Sequence, residues 1–175
     1  MSTVTKAELL GVLAVVVSAV AGLWLSGGRA EIYSVSVTID APPEAVFPYL
    51  VEPDLLRGWI TGLVETKPLT EGGPRAGARS TEIIERDGRR SEMETEIVEF
   101  EPNRHIEVHI VSDVMVADSD YTLTAADGKT RLTEIFIPRF VGWGRLFSLF
   151  VRGAIDQDLR TDLDRLKAAV ESGSG

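Results

Sequence analysis

Two Asp-Gly pairs, Asp87-Gly88 and Asp127-Gly128, constrain this chain more than any other feature. Asp-Gly between alternating runs is a strong signal for a two-residue hairpin turn, and such a turn fixes which side chains share a face. Pairing across Asp87-Gly88 sets Glu85 opposite Arg90 and Arg79 opposite Glu96, so opposite charges meet on one face. The other face carries Ala78, Ser80, Glu82 and Ile84 against Ser91, Met93, Thr95 and Ile97. A turn over Glu101-Pro102-Asn103-Arg104 then sets Ile97 opposite Val108 and Thr95 opposite Ile110. A turn at Ser112-Asp113 sets Ile110 opposite Met115, Val108 opposite Ala117 and Ile106 opposite Ser119. The Asp127-Gly128 turn sets Leu123 opposite Leu132, Tyr121 opposite Glu134 and Ser119 opposite Phe136. Four turns read independently agree on one mostly apolar face, as an antiparallel meander with one buried side requires.

The same reading places strands near 33–39, 62–69, 78–86, 89–100, 105–111, 114–125 and 129–138, seven in all. The glycine-rich stretch Glu71–Gly77 lacks the Lys-Ser/Thr ending of a phosphate-cradling loop and reads as a connection. After the first strand, Pro43 suits the first turn of a helix. Val46, Phe47, Leu50 and Val51 then form one apolar helical stripe. Pro138 is expected to end the last strand, and Phe140–Glu171 to form a long helix. Its stripe is Phe147, Val151, Ile155, Leu159, Leu163, Leu166 and Val170. The second half of that helix is charged on its other faces. The first half is apolar nearly all round, which fits burial against both sheet and cavity, or contact with a bilayer or a partner.

The segment Ile39–Trp59, IDAPPEAVFPYLVEPDLLRGW, and the ending DLDRLKAAVE resemble the SRPBCC or START-like superfamily, the polyketide cyclase/dehydrase and lipid-transport group. The resemblance covers about residues 31–171. It implies an α+β helix-grip fold: a curved seven-stranded antiparallel sheet, in the order β-α-α-β6-α, wrapped around the long C-terminal helix. It also implies a hydrophobic ligand cavity. No catalytic residue of the group maps onto this sequence, so none is assigned.

Leu9–Leu25 holds 17 residues without a charge, between Lys6 and Glu8 on one side and Arg29 and Glu31 on the other. This predicts an uncleaved transmembrane anchor over residues 1–30, contacting the membrane through residues 7–25. A slight excess of positive charge at the amino terminus puts the domain outside the cytoplasm. Ala14, Ser18 and Gly22 recur at helical spacing and could support a weak homodimer. The expected organisation is an anchor over 1–30, a ligand-binding domain over 31–171 and a disordered tail over 172–175.

Composition excludes several functions. The chain has no cysteine, so thiolate chemistry and thiolate metal sites are excluded. Residues 31–175 carry 16 basic and 26 acidic side chains, a poor surface for nucleic acid. His105 and His109 lie four apart on one strand, ~13 Å between them, too far to share a metal. His105 is expected opposite Asp120. No metal or cofactor is expected. The inner face is unusual for a solid core, because Ser80, Thr95, Ala117 and Ser119 are small and Glu82, Tyr121 and Glu134 are polar. A cavity with a few placed polar groups fits better. Its expected lining is Trp59, Glu82, Met93, Ile110, Met115, Tyr121, Glu134, Phe136, Phe147 and Phe150. Three functions remain open: membrane-tethered binding or transport of a lipid or other small hydrophobic molecule in a cavity between sheet and C-terminal helix; an enzyme of the polyketide cyclase/dehydrase type acting on an apolar substrate, using Tyr121, Glu134 or Glu82 as acid or base; and a non-catalytic interaction domain.

Overall fold

A computed structural model of the chain describes residues 6–173. Helix α1 (Lys6–Gly27) precedes β1 (Tyr33–Ile39). Three one-turn helices follow: α2 (Pro43–Val46), α3 (Pro48–Val51) and α4 (Pro53–Leu56). The sheet continues through β2 (Leu63–Pro68), β3 (Arg79–Arg86), β4 (Arg89–Glu101), β5 (His105–Val111), β6 (Met115–Ala126) and β7 (Lys129–Phe140). Helix α5 (Gly144–Gly173) closes the chain. The seven strands form one antiparallel sheet in the order β1-β7-β6-β5-β4-β3-β2, a helix-grip α+β fold.

The segment between β1 and β2 breaks into three helices because a proline recurs every fifth residue. Each proline opens a helix at its first position, where its missing N–H costs nothing, and each would disrupt the interior of a longer one. The apolar stripe still works: Val46, Phe47 and Leu50 are buried.

The turns carry the positive backbone angles expected of them. Asp87 and Gly88 have φ of 50° and 72°, and Asp127 and Gly128 have 52° and 76°, as a two-residue type I′ turn requires. Glu85 faces Arg90, Arg79 faces Glu96, and Tyr121 faces Glu134, as expected. Two details of register differ. The β5–β6 turn is centred on Asp113-Val114 rather than Ser112-Asp113, because the Ser112 hydroxyl and backbone N–H both bond across the turn to Met115. Pairing therefore slides by two residues: Ile110 meets Ala117, Val108 meets Ser119 and Ile106 meets Tyr121. A slide of two preserves the face. His105 lies opposite Thr122 rather than Asp120, although its ring still reaches Asp120 at 2.8 Å. The second difference is a bulge between Ile97 and Glu99. It reverses the alternation, so that Phe100 turns inward, next to Ile106, and meets the edge of Phe47 at 5.5 Å.

Pro138 lies inside β7 instead of ending it. Its carbonyl accepts from Glu31 N–H on the β1 side. Its nitrogen therefore faces that side too, beyond the start of β1, and no bond to β6 is lost.

The core joins Val35, Ile39, Val46, Phe47, Leu50, Trp59, Ile106, Leu123 and Leu132 to Leu163, Leu166 and Val170 of the second half of α5. The first half of α5 packs on α1. A Cβ at Gly27 would stand 2.0 Å from the Arg145 carbonyl oxygen, so only glycine permits that approach. The Arg145 guanidinium lies 5.3 Å from the Trp24 ring centre.

This corrects the expected anchor. No helix among the described residues is long and apolar enough to cross a membrane, so the single-pass placement through residues 7–25, and the extracytoplasmic domain with it, does not hold. The 17-residue uncharged run falls short of the ~20 apolar residues that a hydrocarbon core asks for. The final turns of α1 are engaged with α5. Ala14, Ser18 and Gly22 lie exposed on α1.

Candidate functional site

Between the inner face of the sheet and the short helices lies a cavity of about 100 Å³. Leu50, Val51, Pro53, Leu56, Trp59 and Ile60 form one apolar wall, and Ile97, Ile106, Val108 and Ile110 of β4 and β5 form the other. Polar groups enter from two sides. Thr66, Ser80, Glu82 and Thr95 come from β2, β3 and β4; Ser119 and Tyr121 come from β6.

Strand pairing explains both polar groups. Thr66 and Glu82 are direct partners across β2 and β3. Thr66 Oγ1 is shut off from solvent and makes no hydrogen bond among the described residues. Glu82 sits beside it, its pKa raised by burial to about 7. Tyr121 and Glu134 are direct partners across β6 and β7. Glu134 is only 3% exposed and accepts a hydrogen bond from Ser119 Oγ at 2.8 Å. Burial raises its pKa to about 7, against the opposing pull of hydrogen bonds from Ser119 and Tyr121. Burial, then the charge of Glu134, holds the Tyr121 phenol well above its usual value.

A second tier fixes this arrangement. The Trp59 ring meets Tyr121 edge-on at 6.3 Å, and its Nε1–H donates to the Tyr49 carbonyl at 2.8 Å. Asp162 of α5 accepts from Thr61 N–H at 3.0 Å and from the Thr61 hydroxyl at 2.5 Å, pinning the segment after α4 to the long helix. Burial raises the pKa of Asp162 despite those bonds.

Of the ten residues expected to line a cavity, Trp59, Glu82, Ile110 and Tyr121 do so. Glu134 lies behind Ser119 and Tyr121 rather than in the wall. Met93, paired with Glu82, and Phe136, paired with Ser119, are half-buried and outside the lining. Met115 pairs with Phe140 and is outside it too, carried there by the β5–β6 slide. The side chains of Phe147 and Phe150 lie outside the described residues. Thr66 was not foreseen. Only a long loop joins β2 to β3, so no tight turn fixed its register, and a bulge after Leu63 decides its face.

A larger open groove of about 810 Å³ lies at the β4–β5 turn, between Glu101, Arg104 and His105, the end of β6 and the start of α2. Its histidine is engaged: His105 is bonded to Asp120, which raises its pKa. His109 is likewise bonded to Asp118, at 2.6 Å. Among the described residues no cluster could hold a metal ion.

A curved antiparallel sheet gripping a terminal helix, with an inner cavity, defines the helix-grip class of domains. Residues 31–171 match the family described as polyketide cyclase/dehydrase and lipid transport, and the chain belongs to it. Among solved structures, the Zhui aromatase/cyclase from Streptomyces sp. R1128 is similar with a TM-score of 0.69 at 13% identity, over 82% of this chain and 94% of that one. Ara h 8.0201 is similar at 0.67 and 17%, over 82% and 99%. A protein from Thermus thermophilus gives 0.67 and 16%, over 83% and 100%. No curated protein matches the sequence. At these identities the structural likeness speaks for the fold alone.

Proposed function

We propose that residues 31–171 form a domain that binds a small hydrophobic molecule in the cavity between sheet and helices. The carrying observation is the pairing of apolar walls with buried polar groups, one of which, Thr66 Oγ1, the fold leaves without a hydrogen bond. A site that only packed would fill this space with larger apolar groups. The size argues for a compact ligand, since drug-sized molecules occupy pockets of ~300–1,000 Å³. The family supplies the class, because its members include lipid carriers and cyclases. Native mass spectrometry of the full chain, with solvent extraction, tests the reading. A small apolar molecule should co-purify, and Val108→Phe, which fills the cavity from its wall, should remove it. Retention of the ligand by a folded Val108→Phe variant would refute the site.

A second reading is favoured by one specific feature. Tyr121 and Glu134 form a buried acid pair whose carboxyl titrates near neutrality, the range in which a general acid or base works best. On this reading the family's cyclase/dehydrase chemistry applies, and Glu134→Gln abolishes turnover while the ligand still binds. Undiminished turnover by Glu134→Gln would exclude it.

A further inference from the structure

The cavity has a one-sided electrostatic character. Its lining contains the carboxyl of Glu82 and, among the described residues, no Lys, Arg or His. Glu134 stands directly behind Ser119 and Tyr121, adding a second acid from the neighbouring strand pair. The charged and titratable groups facing this region are Glu82 on β3, Tyr121 on β6, Glu134 on β7 and Asp162 on α5, with Arg165 reaching only as far as the Thr61 hydroxyl at 2.9 Å. An anionic ligand, such as a fatty acid or a phosphate-bearing lipid, would enter this space against two acids and find no cation among those residues.

We propose that the ligand is a compact apolar amine, its ammonium held by the Glu82 carboxylate and Thr66 Oγ1 and its apolar body packed between Trp59, Ile97, Val108 and Ile110. The proposal rests on the cavity being a binding site and adds the class of molecule. The geometry suits it. Thr66 and Glu82 are cross-strand partners on the inner face, so one ammonium can donate to both oxygens at once. Each is an acceptor that the fold itself leaves unused: Thr66 Oγ1 is buried without a bond, and burial alone perturbs Glu82. A bound cation would offset the cost of an ionised carboxyl in this environment. Binding is therefore linked to release of the carboxyl proton and strengthens as pH rises from 6 to 8.

Three probes of similar size test this with the full chain: benzylamine, its isostere benzyl alcohol, and benzoate, titrated by calorimetry and by ligand-observed NMR. At pH 8 benzylamine should bind at least tenfold tighter than benzyl alcohol, with benzoate weakest. The benzylamine-to-benzyl alcohol ratio should fall at pH 6, and should collapse toward one in Glu82→Gln. It should fall severalfold in Thr66→Val, which keeps the side-chain shape. Thermal unfolding establishes that both variants are folded. Benzoate binding as tightly as benzylamine, or an amine preference that survives in Glu82→Gln, overturns the proposal. Benzyl alcohol binding with no amine advantage also overturns it, and leaves the cavity reading in place. Absence of binding by all three probes takes the cavity reading down as well.

Discussion

Glu134→Gln should stabilise this protein at alkaline pH and leave it nearly unchanged in acid. Glu134 is 3% exposed, and its pKa stands at about 7 in the fold against 4.5 for the unfolded chain. Between those values the folded state holds a proton that the unfolded state has lost. Folding therefore takes up protons, and stability falls as pH rises through this window. Below the unfolded value both states are neutral and nothing is lost; above the folded value the full cost is present. The difference converts at ~1.4 kcal/mol per pH unit into about 3 kcal/mol. Glutamine keeps the shape and an acceptor for Ser119 Oγ but never ionises. Its two N–H donors could add a fixed cost, which would apply equally at both ends and cancel in the pH-dependent difference. Urea unfolding of both proteins at pH 4 and pH 8.5 measures it. The gap should widen by about 3 kcal/mol in favour of glutamine, or about 2–4 °C in Tm for each kcal/mol. A gap that does not change with pH would mean that Glu134 is ionised without penalty in the fold. The burial argument would then be wrong.

Three further outcomes follow from the same geometry. Ser119→Ala removes the 2.8 Å donor to Glu134; the loss should be about 1.5–3 kcal/mol at pH 8.5, where the carboxyl is charged, and smaller at pH 4. Denaturant titrations at the two pH values read this directly. Gly27→Val should separate α1 from α5, since its side chain would start 2.0 Å from the Arg145 carbonyl; hydrogen exchange should quicken in the last turns of α1 and the first of α5 and stay unchanged in β4–β7. Leu132→Ala, at a fully buried core position, should cost about 2–5 kcal/mol at every pH, measurable as a pH-independent drop in the urea midpoint.

The parts of this fold that were legible in the sequence are those governed by local chemistry. Asp87-Gly88 and Asp127-Gly128 determine two hairpins because their backbone angles suit almost nothing else. They bring Tyr121 to Glu134 and Arg79 to Glu96 without help from the rest of the chain. Where a turn depends on a side chain closing it, as Ser112 does, the register slid by two and carried Met115 out of the site. Bulges lie beyond local reading altogether. The extra residue at Val98 turns Phe100 inward, and the irregularity after Leu63 aims Thr66 at the cavity. Neither leaves a mark in the alternation until the partner strand is known. The N-terminal helix failed for a different reason. The count of uncharged residues does not by itself make a membrane-crossing helix, and the contact that seats the end of α1, Gly27 against Arg145, joins residues more than a hundred positions apart.

The energetics bear on why the site exists. A domain is stable by only about 5–15 kcal/mol in all. By the reasoning applied to Glu134, Glu82 and Glu134 each hold a pKa near 7 that lowers stability at neutral pH. Glutamine or methionine at either position would serve the fold better. Burial of Thr66 Oγ1 without a bond adds a further cost, about 1–3 kcal/mol for an unsatisfied polar group. These three groups face one cavity, or stand immediately behind its wall, while the core around Leu132, Leu163 and Leu166 is packed without such defects. Arg145 Nε, at the contact of α1 with α5, is the other buried atom without a hydrogen bond among the described residues, but the two buried carboxyls and Thr66 gather at one cavity, the pattern of a site arranged for a ligand. The pattern also predicts its own relief. A molecule that supplies a positive charge to Glu82 and a donor to Thr66 should raise the melting temperature of the wild-type chain most at pH 8, and much less once both positions are made Gln and Val. A ligand-induced shift of equal size in that double variant would show that the buried polar groups play no part in binding.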